Sequence, residues 1–254
     1  MTEGPIERSV PRIFSPARRR ARYHRALARQ RVEDAARFVF DDMIEDILER
    51  FDFTRAEPGS TLVIGDVTGQ LAPALESREF AVESLGPDKL DEEKPYQSTY
   101  RYILSLGTLD TLNDLPGALM LMRHALEPGG MMIAQCLGAG TLPAMRQVVQ
   151  VADGERTHAR IHPQIDRPAA SGLMSRAGFA KHVVDSRSLR ARYGAFDRLV
   201  SDLRDQGLTG VLADAPPAFT RSSWARALAG FEPLREEDGK VTETFEILSL
   251  TGWG

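Results

Sequence analysis

The chain has 254 residues, of which 42% are hydrophobic and 27% charged, enough to bury a full core and too apolar for global disorder. Its net charge of -4, from 32 basic and 36 acidic residues, gives no overall attraction to nucleic acid or to an anionic membrane, so neither is expected as a partner. The single cysteine, Cys136, excludes an intrachain disulfide and a cysteine-based zinc site, and points to a reducing compartment.

Residues 1–31 carry nine arginines against Glu3 and Glu7, a net +7, and residues 32–60 carry nine acids against Arg37, Arg50 and Arg55, a net -6. The arginine-rich start resembles an organelle transit segment, but Glu3 and Glu7 weaken that reading and no secretory apolar region is present. No apolar run reaches the roughly 18–20 residues of a membrane span. A bacterial cytoplasm is the expected compartment, with a mitochondrial matrix as the alternative.

Ser15 before Pro16 predicts a helix from 16 to 30, with the serine as N-cap and the proline where a missing N–H costs nothing. Arg18, Arg19 and Arg20 fall in its first turn, where the helix dipole disfavours cations. They read either as a partner or anion surface or as a solvated face lying against the acidic block that follows. In residues 33–51, Ala36, Val39, Phe40, Met43, Ile44, Leu48 and Phe51 recur at helical spacing, so a second, amphipathic helix must pack on something. Pro58 and Gly59 then mark a turn. The expected division is a helical extension over 1–60 and a main domain over 61–254.

From Thr61 strands and helices alternate. Strands are predicted at 61–66, 78–85, 100–106, 130–138 and near 180–186, with a last one over 242–253; helices are predicted at 71–77, 115–126, 168–177, 195–206 and 220–229. That alternation predicts an α/β fold, a largely parallel sheet with helices on both faces. Ligands in such sheets sit beyond the carboxyl ends of the strands, near the switch point.

The first strand runs into TLVIGDVTGQL, residues 61–71. A dinucleotide turn needs a third glycine and a P-loop needs Gly-Lys-Ser/Thr, and neither is present. What stands is Gly65, three residues, Gly69 and a helix, with Glu83 on the next strand, 18 positions after Gly65, about where a carboxylate would meet a ribose diol. A nucleoside without a pyrophosphate suits this spacing, and S-adenosylmethionine (SAM) is the candidate cofactor.

The motifs RIFSPARRRARYHRAL (12–27), NDLPGAL (113–119), LEPGGMMIAQCLGAGTLPAMR (126–146), SRAGF (175–179), SDLRDQG (201–207) and TFEILSLTGW (244–253) run in order along the chain. With them it resembles the class I SAM-dependent methyltransferases, in particular the mitochondrial complex I assembly factor 5 family and its bacterial relatives, which are similar to malonyl-carrier-protein methyltransferases. The resemblance implies a Rossmann-like fold, methyl transfer in many relatives, and arginine hydroxylation by the assembly factor. It carries Gly65, Asp66, Gly69, Glu83, Ser105, Leu106 and Gly107 over as cofactor contacts. It assigns no catalytic residue.

Several positions depart from the family pattern. Val63 replaces the strand acid and Val67 the middle glycine, where a side chain takes up ligand space and disfavours positive φ; Asp66 is a displaced carboxylate. Arg101 replaces an acid before the next strand, and Asp110 and Thr111 replace His-Trp after it. Too few residues separate Glu83 from Tyr100 for the usual helix and third strand, so the sheet is expected to be shortened there.

His158 and His162 stand four apart, but Pro163 breaks the helix a zinc pair would need, so a surface loop near the site mouth is expected and no metal. Cys136 reads as buried packing. Asp202 and Arg204 read as a surface ion pair or a substrate contact, and Trp224 and Trp253 as packing. Two functions follow: a SAM-dependent methyltransferase-family protein, acting on a protein substrate, with a degenerate loop; or a non-catalytic binding or assembly module using the basic N-terminal helix.

Overall fold

Ser15 caps the first helix as its place before a proline predicts: its hydroxyl accepts the Arg18 amide at 3.3 Å, and α1 runs Pro16–Arg29. The computed structural model describes residues 12–254; Glu3, Glu7 and Arg8, on which the transit-like reading rests, lie outside them. Helix α2 spans Phe38–Thr54, starting later than the periodicity suggests. The reason is tertiary. The Ala36 amide donates to the Asp205 carboxylate (3.2 Å) and the Val39 amide to the Gln206 side chain (2.8 Å), so partners from a distant helix cap the first amides of α2. Its apolar stripe is buried as predicted, with Ile47 added and Leu48 only partly covered.

The sheet has six strands: β1 (Ser60–Ile64), β2 (Ala81–Leu85), β3 (Tyr100–Leu106), β4 (Leu126–Leu137), β5 (Lys181–Tyr193) and β6 (Val241–Trp253). Their order is β2-β1-β3-β4-β6-β5. The first four are parallel, and β6 is antiparallel to both β4 and β5. β5 runs well past residue 186, because an edge strand with one exposed and one half-buried face carries the charged stretch 185–192 that hides it from a hydrophobicity reading. Residues 86–99 contain neither helix nor strand, so the sheet is shortened where the sequence lacks room.

Helices α3 (Leu71–Glu76), α5 (Pro143–Asp153), α7 (Phe196–Asp205) and α8 (Arg221–Phe231) join α2 on one face, while α4 (Leu115–His124) and α6 (Arg167–Arg176) cover the other. Helix α5 escaped the sequence reading, although Pro143 at its start and Ala144, Met145, Val148 and Ala152 at helical spacing announce it. It follows Leu142 at φ 62, and the buried Glu243 carboxylate accepts the Met145 amide at 2.8 Å. Among the described residues no helix is long and apolar enough to cross a membrane.

The acidic block does not lie against the basic helix. Asp42 of α2 pairs with Arg187 (2.5 Å), Asp46 with Arg50 (2.7 Å), and Arg50 reaches Asp185 (2.9 Å), all at the β5 edge. Helix α1 instead turns Arg19 and Arg22 into the domain, where they are 3% and 7% exposed. Arg19 pairs with Glu92 and donates to the Thr111 carbonyl at 3.0 Å; Arg22 donates to the Thr209 carbonyl at 3.1 Å. Of the three first-turn cations that the helix dipole disfavours, Arg19 is held by these tertiary partners, while Arg18 and Arg20 are exposed.

Candidate functional site

The turn after β1 is pressed against the turn after β3. Gly65, at φ +90, leaves no room for a Cβ, which would lie 2.1 Å from Thr108 Oγ1 and 2.3 Å from the Leu106 carbonyl oxygen. Positive φ is supplied by Gly65 and Gly69, while Val67 does not adopt it. The strain expected of a valine in this turn is avoided. Val67 is 4% exposed and belongs to the core under α2.

Asp66 is engaged by its own turn. One carboxylate oxygen accepts the Thr68 amide (2.9 Å), the Thr68 hydroxyl (2.6 Å) and the Gly69 amide (3.1 Å); the other accepts the Leu71 amide (2.9 Å) at the start of α3. A carboxylate thus takes the amides that an anionic ligand would use.

Beside the turn lie Ser105, fully buried with its hydroxyl unpartnered, Leu106 and Gly107. A Cβ on Gly107 would sit 3.0 Å from the Phe40 ring, and one on Gly86, just past β2, 2.8 Å from the Tyr23 ring. Tyr23 is on α1 and Phe40 on α2, so both N-terminal helices lean over the carboxyl ends of the strands. The structure brings Gly65, Asp66, Gly69 and Ser105–Gly107 together. Glu83 stands apart: it pairs with Leu62, short of the strand end, and its carboxylate accepts the Tyr100 hydroxyl at 2.7 Å. Burial, with that bond, pushes the Tyr100 phenol up to about 12.

Beyond the carboxyl end of β4 lies a cavity of about 340 Å³, walled by apolar side chains that include Met145, Val149, Phe196, Phe219 and Trp224. The sequence reading placed ligands beyond the strand ends but did not single out this wall, because α5, α8 and the loop 207–220 meet only in the tertiary fold. Asp110 lines it. Burial pushes its carboxyl up to about 6 against the opposing pull of Arg22, and one carboxylate oxygen is buried without a hydrogen-bond partner.

His162 also lines the cavity but is buried, 7% exposed, rather than on a surface loop as expected. Its Nε2 accepts the Val211 amide at 2.7 Å, and burial pushes its pKa down to about 3. His158 is exposed, and no metal-binding cluster occurs among the described residues. Cys136 is buried in β4, where burial pushes its thiol up. Trp224 packs on Phe196, ring centroids 5.2 Å apart, and Trp253 is partly buried at the end of β6.

The motif SDLRDQG divides its work. Asp202 pairs with Arg198 (2.9 Å), Ser201 accepts from Arg29 (2.9 Å), Asp205 and Gln206 take amides at the start of α2, and Leu203 and Arg204 line the cavity. Asn113 of NDLPGAL takes the Phe14 amide at 2.8 Å and donates to its carbonyl at 3.1 Å, and Asp114 caps α4. These motifs hold α1 and α2 to the domain.

No family model matches the chain. It is 31% identical over 170 residues to the mitochondrial arginine-hydroxylase NDUFAF5 of Mus musculus, covering 64% of this chain and 49% of that protein. It therefore spans about half the length of those relatives. It is 25% identical over 238 residues to malonyl-[acyl-carrier protein] O-methyltransferase 1 of Coxiella burnetii, covering 87% of this chain and 83% of the relative. Its fold is that of 1,6-didemethyltoxoflavin-N1-methyltransferase from Burkholderia thailandensis, at TM-score 0.51 and 11% identity, covering 99% of this chain and 92% of that one. By fold the chain is a Rossmann-like, class I SAM-methyltransferase-type α/β protein, and by sequence it resembles the NDUFAF5-type arginine hydroxylases and the malonyl-carrier-protein methyltransferases.

Proposed function

We propose that this methyltransferase-family chain has a degenerate cofactor turn and works as a binding or assembly module. Its working surface is the cavity beyond β4 together with the exposed arginines of α1. One observation carries the reading: the chain's own side chains engage and crowd the turns after β1, β2 and β3. Val67 is in the core, Asp66 is held by four donors of its own turn, and Tyr23 and Phe40 stand over Gly86 and Gly107. Glu83, the carboxylate expected at a ribose, is bonded to Tyr100. An adenosyl ligand needs free backbone between the glycines and an acid at the strand end. In this arrangement the residues present do not fit it, and no chemical step is assigned through it.

The relatives favour a second reading. They support SAM as the cofactor, and the similarity to a carrier-protein methyltransferase over most of the chain supports methyl transfer. Gly65, Asp66, Gly69, Ser105, Leu106 and Gly107 would then flank the cofactor, with a protein acceptor entering through the cavity. Hydroxylation comes from the other set of relatives, the arginine hydroxylases. A bacterial cytoplasm and a mitochondrial matrix each suit one set.

Calorimetric titration of the full chain with SAM and with S-adenosylhomocysteine separates the readings. The closed turn predicts no saturable heat at millimolar ligand. Saturable micromolar binding by the unmodified protein overturns it and installs the second reading.

A further inference from the structure

We infer that the cavity beyond β4 binds an amphipathic carboxylate, a medium-length fatty or aryl acid. Its apolar body lies against Met145, Val149, Phe196 and Trp224, and its anionic head sits at the rim between Arg18 and Arg204. The inference deepens the reading of this cavity as the working surface and rests on it.

Size comes first. At about 340 Å³ the space is at the low end for small-molecule sites, which suits a small ligand. The wall then fixes the chemistry of the body, because α5 and α8 present aliphatic and aromatic side chains and few polar atoms.

Charge selects the head. Arg18 of α1 and Arg204 of α7 are exposed and line the same cavity, and neither has an acidic partner among the described residues. Arg160, in the same wall, contrasts with them. It is held by Asp153 at 2.6 and 2.8 Å and lies over the Phe219 ring at 4.2 Å, so its charge is already answered. The one acid in the wall, Asp110, is half-buried with the charge of Arg22 acting on it, and the histidine there, His162, accepts a backbone amide and is neutral. The mouth is therefore cationic over an apolar floor. An anion at the rim gains charge-assisted hydrogen bonds there, while an ammonium head meets like charge.

The test uses the full chain with Trp253→Phe, leaving Trp224 in the cavity wall as the only tryptophan. Its fluorescence is titrated with decanoate, decanol and decyltrimethylammonium, and SAM is titrated separately on the same protein. Decanoate is expected to give a saturable change, with decanol and each of Arg18→Gln and Arg204→Gln about tenfold weaker. Val149→Phe, which fills the cavity, abolishes the response while the thermal melt is kept. No saturable change at millimolar decanoate, or an equal response to decyltrimethylammonium, overturns the inference. Binding of SAM in the separate titration would instead overturn the closed turn and leave the cavity assignment standing.

Discussion

His162 shows how a single buried group ties this fold to pH. Its Nε2 must stay unprotonated to accept the Val211 amide, and burial depresses its pKa from the ordinary value near 6.5 to about 3. Between those values the unfolded chain binds the proton and the folded chain does not, so stability rises with pH. The contribution is complete above pH 6.5 and is lost as pH falls towards 3. From pH 7 to pH 5 the loss attributable to this group is about 2 kcal/mol, at about 1.4 kcal/mol for each unit below 6.5. Urea unfolding of the wild type and of His162→Gln at both pH values should show the wild type losing more, by about that amount. Equal losses would mean that His162 is solvated or already protonated.

At the scale of elements, the N-terminal pair of helices behaves as part of the domain. Arg19, 3% exposed, and Glu92, 10% exposed, form a buried ion pair, and Glu92 also accepts the Asn113 amide at 2.7 Å. Removing one partner leaves a buried charge uncompensated, so Arg19→Ala should destabilise by about 3–5 kcal/mol. The double variant Arg19→Ala/Glu92→Ala should recover part of that loss, because the stranded carboxylate is gone. Denaturation of the four proteins of this cycle checks it, and additive effects would show that the two residues do not interact. Arg19 of the first turn and Arg22 further along α1 serve the interior, while Arg18, Arg20 and Arg25 face solvent.

For the molecule as a whole, the expected boundary at residue 60 has a direct test. Val39, Phe40, Met43, Ile44, Ile47 and Phe51 of α2 share one core with β1, β3 and β6. Without them the sheet face is bare, and burial of apolar surface at about 25 cal/mol per Å² is the main favourable term in folding. A 61–254 fragment is therefore expected to show no cooperative thermal transition, whereas the full chain melts cooperatively. A cooperative melt of the fragment would establish 1–60 as a true extension.

Period and punctuation in the sequence are enough to determine the alternating strands and helices, the helix start at Ser15 and the shortened stretch before Tyr100, since each depends on neighbours a few residues apart. The start of α2 at Phe38 and the direction of Glu83 depend instead on Asp205, Gln206 and Tyr100, which lie far along the chain. The cavity is of the same kind: its wall is assembled from α1, α5, α7, α8, the end of β4 and several loops, and no local pattern marks it. Hydrogen bonds and cavities form between groups that only chain folding makes adjacent, and so the tertiary structure alone decided which carboxylates the protein bonds to its own groups.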